Sequence, residues 1–173
     1  MASLVLNGNT SGSVTISSPS VSGTTTLTLP AQTGTVMVNG PAFRAYPSST
    51  QSALSAGVET KILLGTEDFD TNNNFASSRF TPTVAGYYQI NAAAQVNGTT
   101  TFLNVIIYKN GSAYRYGTYI NTTLNNPVSV VSDVVYCNGS TDYIEMYANT
   151  GTSLSPIAAS ANTSFSGSLV RGA

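Results

Sequence analysis

Histidine and tryptophan are missing from the 173 residues, cysteine occurs once, and charged side chains make up only 8%. Without an imidazole the commonest general base is gone, and with it the Ser-His and Cys-His nucleophile systems. One cysteine and no histidine cannot assemble a zinc set, and a lone cysteine cannot close an intrachain disulfide. Six cations (Arg44, Lys61, Arg79, Lys109, Arg115, Arg171) stand singly in a chain of net charge −1. Nucleic-acid binding draws on clustered Lys and Arg, so no nucleic-acid partner is expected. No segment approaches the ~20 apolar residues of a membrane-crossing helix, and no membrane partner is expected. The start, MASLVLNGNTSG, carries neither the basic region nor the long apolar stretch of a secretory signal.

What is present is a chain that is 41% hydrophobic, with its surface left mainly to Ser, Thr and Asn. Disorder pairs low hydrophobicity with high net charge, and neither holds here, so one ordinary folded domain with an extension is expected. Helical periodicity is nearly absent. Asn-Gly pairs recur at 7–8, 39–40, 97–98, 110–111 and 138–139, and both residues tolerate the positive φ of a type I′ hairpin turn. Between them lie alternating or continuous apolar runs: GYYQINAAAQV (86–96), TFLNVIIYK (101–109), VSVVSDVVYC (128–137) and DYIEMYA (142–148). Short strands with regular turn punctuation predict an all-β antiparallel sandwich or jelly roll. Cys137 ends one of these runs, where a buried structural thiol is expected.

The first 40 residues differ. They are almost uncharged and repeat a Ser, Thr and Gly rhythm around VTI, LTL and VMV. Strands this short cannot bury enough surface alone, so pairing with other chains or a larger body is expected. Pro30 and Asn39-Gly40-Pro41 mark breaks, which places a boundary near residue 40. Farther on, period-two alternation puts Leu103, Val105 and Ile107 on one face of TFLNVIIYK and Phe102, Asn104, Ile106 and Tyr108 on the other. Both faces are apolar, while a sandwich covers only one face of each sheet. The second face therefore needs its own cover, a loop or a neighbouring subunit. In GYYQINAAAQV the apolar set is Tyr88, Ile90, Ala92, Ala94 and Val96. The opposite set, Tyr87, Gln89, Asn91, Ala93 and Gln95, is small or hydrogen-bonding and suits a close-packed axis.

From Pro41 to the end the chain resembles a C1q-like domain of the C1q/tumour-necrosis-factor jelly-roll superfamily. The resemblance is carried by PAFRAY at the opening, ETKILLGTEDFDTNNNF, FTPTVAGYYQI, IIYKNG and the closing SFSGSLV, in the right order over about three quarters of the chain. Ser168 departs from it, standing where the family commonly has an aromatic residue. The resemblance implies a ten-stranded antiparallel jelly roll over 41–173, assembled as a compact homotrimer, with residues 1–40 as a β-rich N-terminal attachment and oligomerisation segment. Tyr87, Phe102, Ile106 and Tyr108 are the expected trimer interface. The N-terminal SGSVTISSPSVSGTTTLTLPAQTGTVMVNG is similar to segments that recur in tailed-bacteriophage virion proteins. That likeness implies a surface-exposed fibre, knob or capsid decoration, folded in the bacterial cytoplasm and bound to other virion proteins through residues 1–40. The alternative is a cell-encoded C1q-like lectin or adhesin.

Two stretches carry candidate chemistry. In GTEDFDTNNNF (65–75), Asp68, Asp70 and Asn72 open like an EF-hand loop, which then needs Gly at its sixth position and Glu at its twelfth. Asn73 and Arg79 stand there instead. The favoured reading is a strand and turn, with Phe69 and Phe75 packing while Asp70 and the asparagines satisfy turn backbone. In AYRYGTY (113–119), Tyr114, Arg115, Tyr116 and Tyr119 form a candidate ligand surface for host polysaccharide, although packing of the tyrosines within the assembly is the favoured reading. Glu67 with Asp142 or Glu145 is the formal carboxylate pair for glycoside cleavage, but no spacing joins them. A non-enzymatic protein without cofactor or metal is expected.

Overall fold

The computed structural model describes residues 3–7, 10–17, 23–24 and 40–173. Contacts divide the chain into two units, Met1–Gly34 and Thr35–Ala173. The described part of the first is a hairpin, β1 (Ser3–Asn7) antiparallel to β2 (Ser13–Ser17), with Leu4 opposite Ile16 and Leu6 opposite Val14. Leu4, Val5, Leu6 and Ile16 are all exposed. The triplet VTI lies in β2, whereas LTL, VMV and Pro30 fall outside the described residues.

The second unit is an antiparallel sandwich of two sheets. One runs in the order β12 (Val128–Cys137), β8 (Gly86–Gln95), β14 (Ser164–Gly172), β3 (Ala42–Tyr46), β5 (Thr66–Asp70). The other runs β10 (Ser112–Tyr116), β9 (Phe102–Lys109), β13 (Ile144–Thr150), β7 (Arg79–Phe80), β6 (Phe75–Ala76). Beside that path, β11 (Ile120–Asn121) pairs with β9 and β4 (Thr60–Lys61) with β13. These are twelve segments against the ten implied by the resemblance, and four of them (β4, β6, β7, β11) are only two residues long. No helix long and apolar enough to cross a membrane occurs among the described residues.

Alternation builds the core. In β8, Tyr88, Ile90, Ala92 and Ala94 are buried between outward Tyr87, Gln89, Asn91, Ala93 and Gln95. In β9, Leu103, Val105 and Ile107 point inward and are fully buried. Phe43 sits at the centre, stacked on Phe80 at 4.3 Å and Phe75 at 5.1 Å and meeting Phe165 edge-on at 5.0 Å. Such ring pairs add about 0.5–1.5 kcal/mol each beyond their buried area. The Tyr88 hydroxyl, reaching the core edge, donates to the Val84 carbonyl at 2.6 Å, and burial pushes its pKa up to about 12.

The turns mix signals that the sequence advertises with one that it does not. Asn110 (φ 53) and Gly111 (φ 78) form the two-residue turn from β9 to β10, the use that Asn-Gly predicts. The β6–β7 hairpin turns instead on Ser77 (φ 51) and Ser78 (φ 57). Left-handed serines are uncommon. Here the Ser78 hydroxyl offsets the cost by accepting from the Leu64 amide at 2.8 Å and donating to the Leu64 carbonyl at 3.3 Å, in a buried position.

Residues 115–118 close one side of the sandwich. The Gly117 amide donates to Val105 of β9 at 2.8 Å, and the Thr118 amide to Val130 of β12 at 2.9 Å. Ser129 completes the seam, donating to the Thr118 carbonyl and accepting from the Val105 amide. A side chain at position 117 has no room, since its Cβ would lie 2.3 Å from the Val130 carbonyl oxygen.

Candidate functional site

The two outward faces of the sandwich are built on opposite principles. On the second sheet, Tyr116 stands across from Ile106, and Ile106 across from Tyr147. Tyr147 stacks on Tyr108 at 3.8 Å between centroids. Glu59, just ahead of β4, accepts from the Tyr116 hydroxyl at 2.8 Å and also from the Tyr108 hydroxyl. Since β10 and β4 flank the β9–β13 pair, a Tyr116 side chain that meets Glu59 must lie over β9. Ile106 beneath it is fully buried. The Tyr108 and Tyr116 hydroxyls are held protonated above their ordinary pKa, Tyr108 first by desolvation and Tyr116 first by its bond to Glu59.

Farther along this face Glu145 is buried and accepts from Lys61 Nζ at 2.7 Å and from Arg79 Nε at 2.9 Å. The Arg79 guanidinium lies 3.8 Å from the centre of the Tyr143 ring. At the other end Tyr119 stacks on Phe102, with centroids 5.2 Å apart and planes 15° apart. The second face of β9 is thus covered by this chain's own rings and charges.

The four residues expected at a trimer interface divide between the two faces. Phe102, Ile106 and Tyr108 lie together on β9 of the second sheet, whereas Tyr87 lies on β8 of the first. Ile106 is sealed inside the protomer, and Phe102 and Tyr108 are half-buried beneath intrachain partners. Alternation cannot find Glu59, which comes from a segment remote in sequence. Of the four residues, Tyr87 is open to solvent.

Tyr87 belongs to the outward face of the first sheet. Successive rows across it read Tyr136–Tyr87–Arg171, Val134–Gln89–Ser168, Ser132–Asn91–Ser166, Val130–Ala93–Ser164 and Val128–Gln95. Val128, Val130, Val134, Tyr87, Tyr136 and Val170 are 41–54% exposed. Gln89, Asn91 and Ser132 hydrogen-bond to one another at 2.8–3.4 Å, and a cleft of about 570 Å³ opens among Asn91, Arg115, Ser132, Ser164 and Ser166. The valines went unnoticed in the sequence because both registers of VSVVSDVVYC are apolar, and only the partner sheet decides which is buried.

The four residues of the expected ligand surface divide. Tyr114 sits at the bulge of β10 and is exposed, and Arg115 Nε lies 3.5 Å from a carboxylate oxygen of Asp133 on β12. Tyr116 is tied to Glu59 and Tyr119 to Phe102, yet both are more than half exposed.

The acidic stretch serves backbone. Asp70 accepts from the Phe75 amide at 2.7 Å and the Asn72 amide at 3.4 Å, which braces the turn through left-handed Asn73. Asp68 pairs with Arg44, and Asn74 braces Thr83. Phe75 packs in the core as expected, whereas Phe69 is exposed. Among the described residues no group of three His, Cys, Asp or Glu gathers to hold a metal ion. Glu67 lies exposed on β5, away from the sheet of Glu145. Asp142 is occupied by Lys109 at 3.0 Å, Asn110 at 2.7 Å and the Asn138 amide at 3.0 Å. The hydrogen bond from Asn110 leads in holding its pKa below the ordinary value, with Lys109 and Asn138 adding to it. Cys137 is buried, and desolvation pushes its thiol up to about 11.

This sandwich is the jelly roll of the C1q and tumour-necrosis-factor folds. Murine APRIL superposes with a TM-score of 0.60 at 8% identity, over 76% of this chain and 100% of that one. The globular domain of zebrafish complement 1qA gives 0.57 at 18% identity, over 77% of this chain and 99% of that one. Eiger TNF from S. frugiperda gives 0.56 at 5% identity, over 78% and 94%. At these identities the likeness is one of fold. No protein-family model matches the chain, and no curated protein matches it in sequence.

Proposed function

We propose that the chain is a non-enzymatic structural protein of a tailed-bacteriophage virion: a surface-exposed homotrimeric fibre, knob or capsid decoration that contacts host-surface receptors or glycans. The observation that carries self-association is the contrast between the two outward faces. On the second sheet the outward tyrosines and ion pairs are tied to partners within the chain, while the first presents valines and tyrosines without such ties around a small, hydrogen-bonding centre. Exposed apolar side chains on one face, depleted in charge at the middle, suit an interface core.

The virion reading draws on the phage-like Ser, Thr and Gly rhythm of residues 1–40 and on a composition that needs no disulfide, as fits folding in the host cytoplasm. Residues 1–40 are the attachment segment to other virion proteins, and the open apolar side chains of β1 and β2 support that role. A second reading, a cell-encoded lectin or adhesin, is favoured by the exposed Tyr116 and Tyr119. Light scattering tests the assembly, a trimer mass being expected and a monomer refuting it. Labelled particle imaging tests the location: a chain lacking residues 1–40 should stay a soluble trimer that no longer joins virions, and neighbouring capsid and tail genes separate the two readings.

A further inference from the structure

We infer that Arg79 and Lys61, converging on the second sheet, form a binding site for an oxyanion, the carboxylate or phosphate group of a ligand. Every group of the site belongs to one protomer, so it does not depend on the assembly or the location proposed above. The chain has only six cations and seven carboxylates, yet two of those cations meet at one carboxylate oxygen. Lys61 Nζ from β4 and Arg79 Nε from β7 both donate to Oε1 of Glu145 on β13, at 2.7 and 2.9 Å. The ammonium and the guanidinium are therefore neighbours. Glu145 balances one of them and leaves one positive charge over, in a place partly withdrawn from water: the side chain of Glu145 is 3% exposed, that of Lys61 25% and that of Arg79 43%. Like charges held together at reduced dielectric repel, and a second anion relieves them. Glu59 does not supply it, being turned to the Tyr108 and Tyr116 hydroxyls and in no ion pair among the described residues.

The donors left over decide the class. Arg79 is fixed twice, by the bond from Nε to Glu145 and by the Tyr143 ring, whose centre lies 3.8 Å from the guanidinium carbon. Its Nη1 and Nη2 lie on the far side of the group from Nε, and neither has a partner among the described residues. That free edge is the fork that fits two oxygens of a carboxylate or phosphate at once, with charge-assisted bonds. Lys61 spends a second N–H on the Ser77 carbonyl at 2.9 Å and keeps a third, since an ammonium has three. Neutralising Glu145 takes one cation, so the second is not needed for that. A guanidinium already held in place also loses little side-chain freedom when a ligand meets it.

The test is the melting temperature of the full chain in millimolar inorganic phosphate or acetate, against chloride at equal ionic strength so that screening is the same. At about ten times its dissociation constant an oxyanion should raise the wild-type Tm by roughly 3 °C. A rise with phosphate alone names a phosphoryl ligand, and a rise with acetate as well admits a carboxylate. Arg79→Gln, which removes the charge and the fork, should abolish the rise and so also controls for general salt effects. Arg79→Lys, which keeps the charge without the fork, should recover only part of it. Should Arg79→Gln not fold, the guanidinium resonances of the wild type carry the test: Arg79 should shift more than the exposed Arg171 as phosphate is added. A wild type that neither oxyanion moves, a rise that survives in full in either variant, or equal shifts at Arg79 and Arg171 overturns the inference.

Discussion

Tyr116 and Ile106 stand opposite each other in the ladder joining β10 to β9, and the ring of the first covers the side chain of the second. Ile106 on the second face of β9 is therefore covered within the protomer itself.

Replacing Ile106 by Asp accordingly should unfold the protomer, not merely separate subunits. A carboxylate buried without a partner costs at least ~3 kcal/mol, and pH-shifted protonation recovers only part of it. Circular dichroism would show the loss of the native melting transition. A folded monomer would instead mean that Ile106 faces a neighbour.

Val134→Asp on the exposed face of the first sheet should do the opposite. A surface substitution leaves the isolated fold within about 0.5 kcal/mol, but three carboxylates brought into one interface would repel. Light scattering should give a folded monomer. A trimer of unchanged mass would move the interface elsewhere.

Asp70→Ala should destabilise by about 0.5–2 kcal/mol, the range for a side chain that satisfies turn amides. A chelator should leave the wild-type melting temperature unchanged. Micromolar calcium binding lost in Asp70→Asn would restore a metal site.

Asp142 gives a pH signature. Its pKa in the folded chain lies below the ordinary 3.8, so its stabilisation is complete above that value and is lost as the pH falls through the folded pKa. Asp142→Asn should be less stable than wild type at neutral pH. Urea titrations should show that gap closing on acidification, and a gap independent of pH would contradict the pairing with Lys109 and Asn110.

Cys137 should resist a maleimide in the native protein and react once it unfolds, because burial withholds both access and the thiolate. Rapid native labelling would show that β12 opens locally.

Much of this architecture was legible in the chain. The runs at 86–96, 101–109 and 128–137 became β8, β9 and β12 within a residue or so, because a period of two is a local property that side chains declare on their own. Asn110-Gly111 declared its turn for the same reason, positive φ being cheap for those two residues. The service of Asp70 to its turn was readable too, since an Asx carboxylate reaches only a few residues away. Tertiary structure alone decided which of two apolar faces stays open. Both registers of β9 and β12 are hydrophobic, and the cover of β9 depends on Glu59 meeting hydroxyls 49 and 57 residues away in sequence. The Ser77-Ser78 turn, likewise, is held by Leu64 and not by any preference of serine. Local periodicity thus determined the strands and their two faces, whereas the choice between a sealed face and an exposed one was made by contacts that exist only after the sheets have packed.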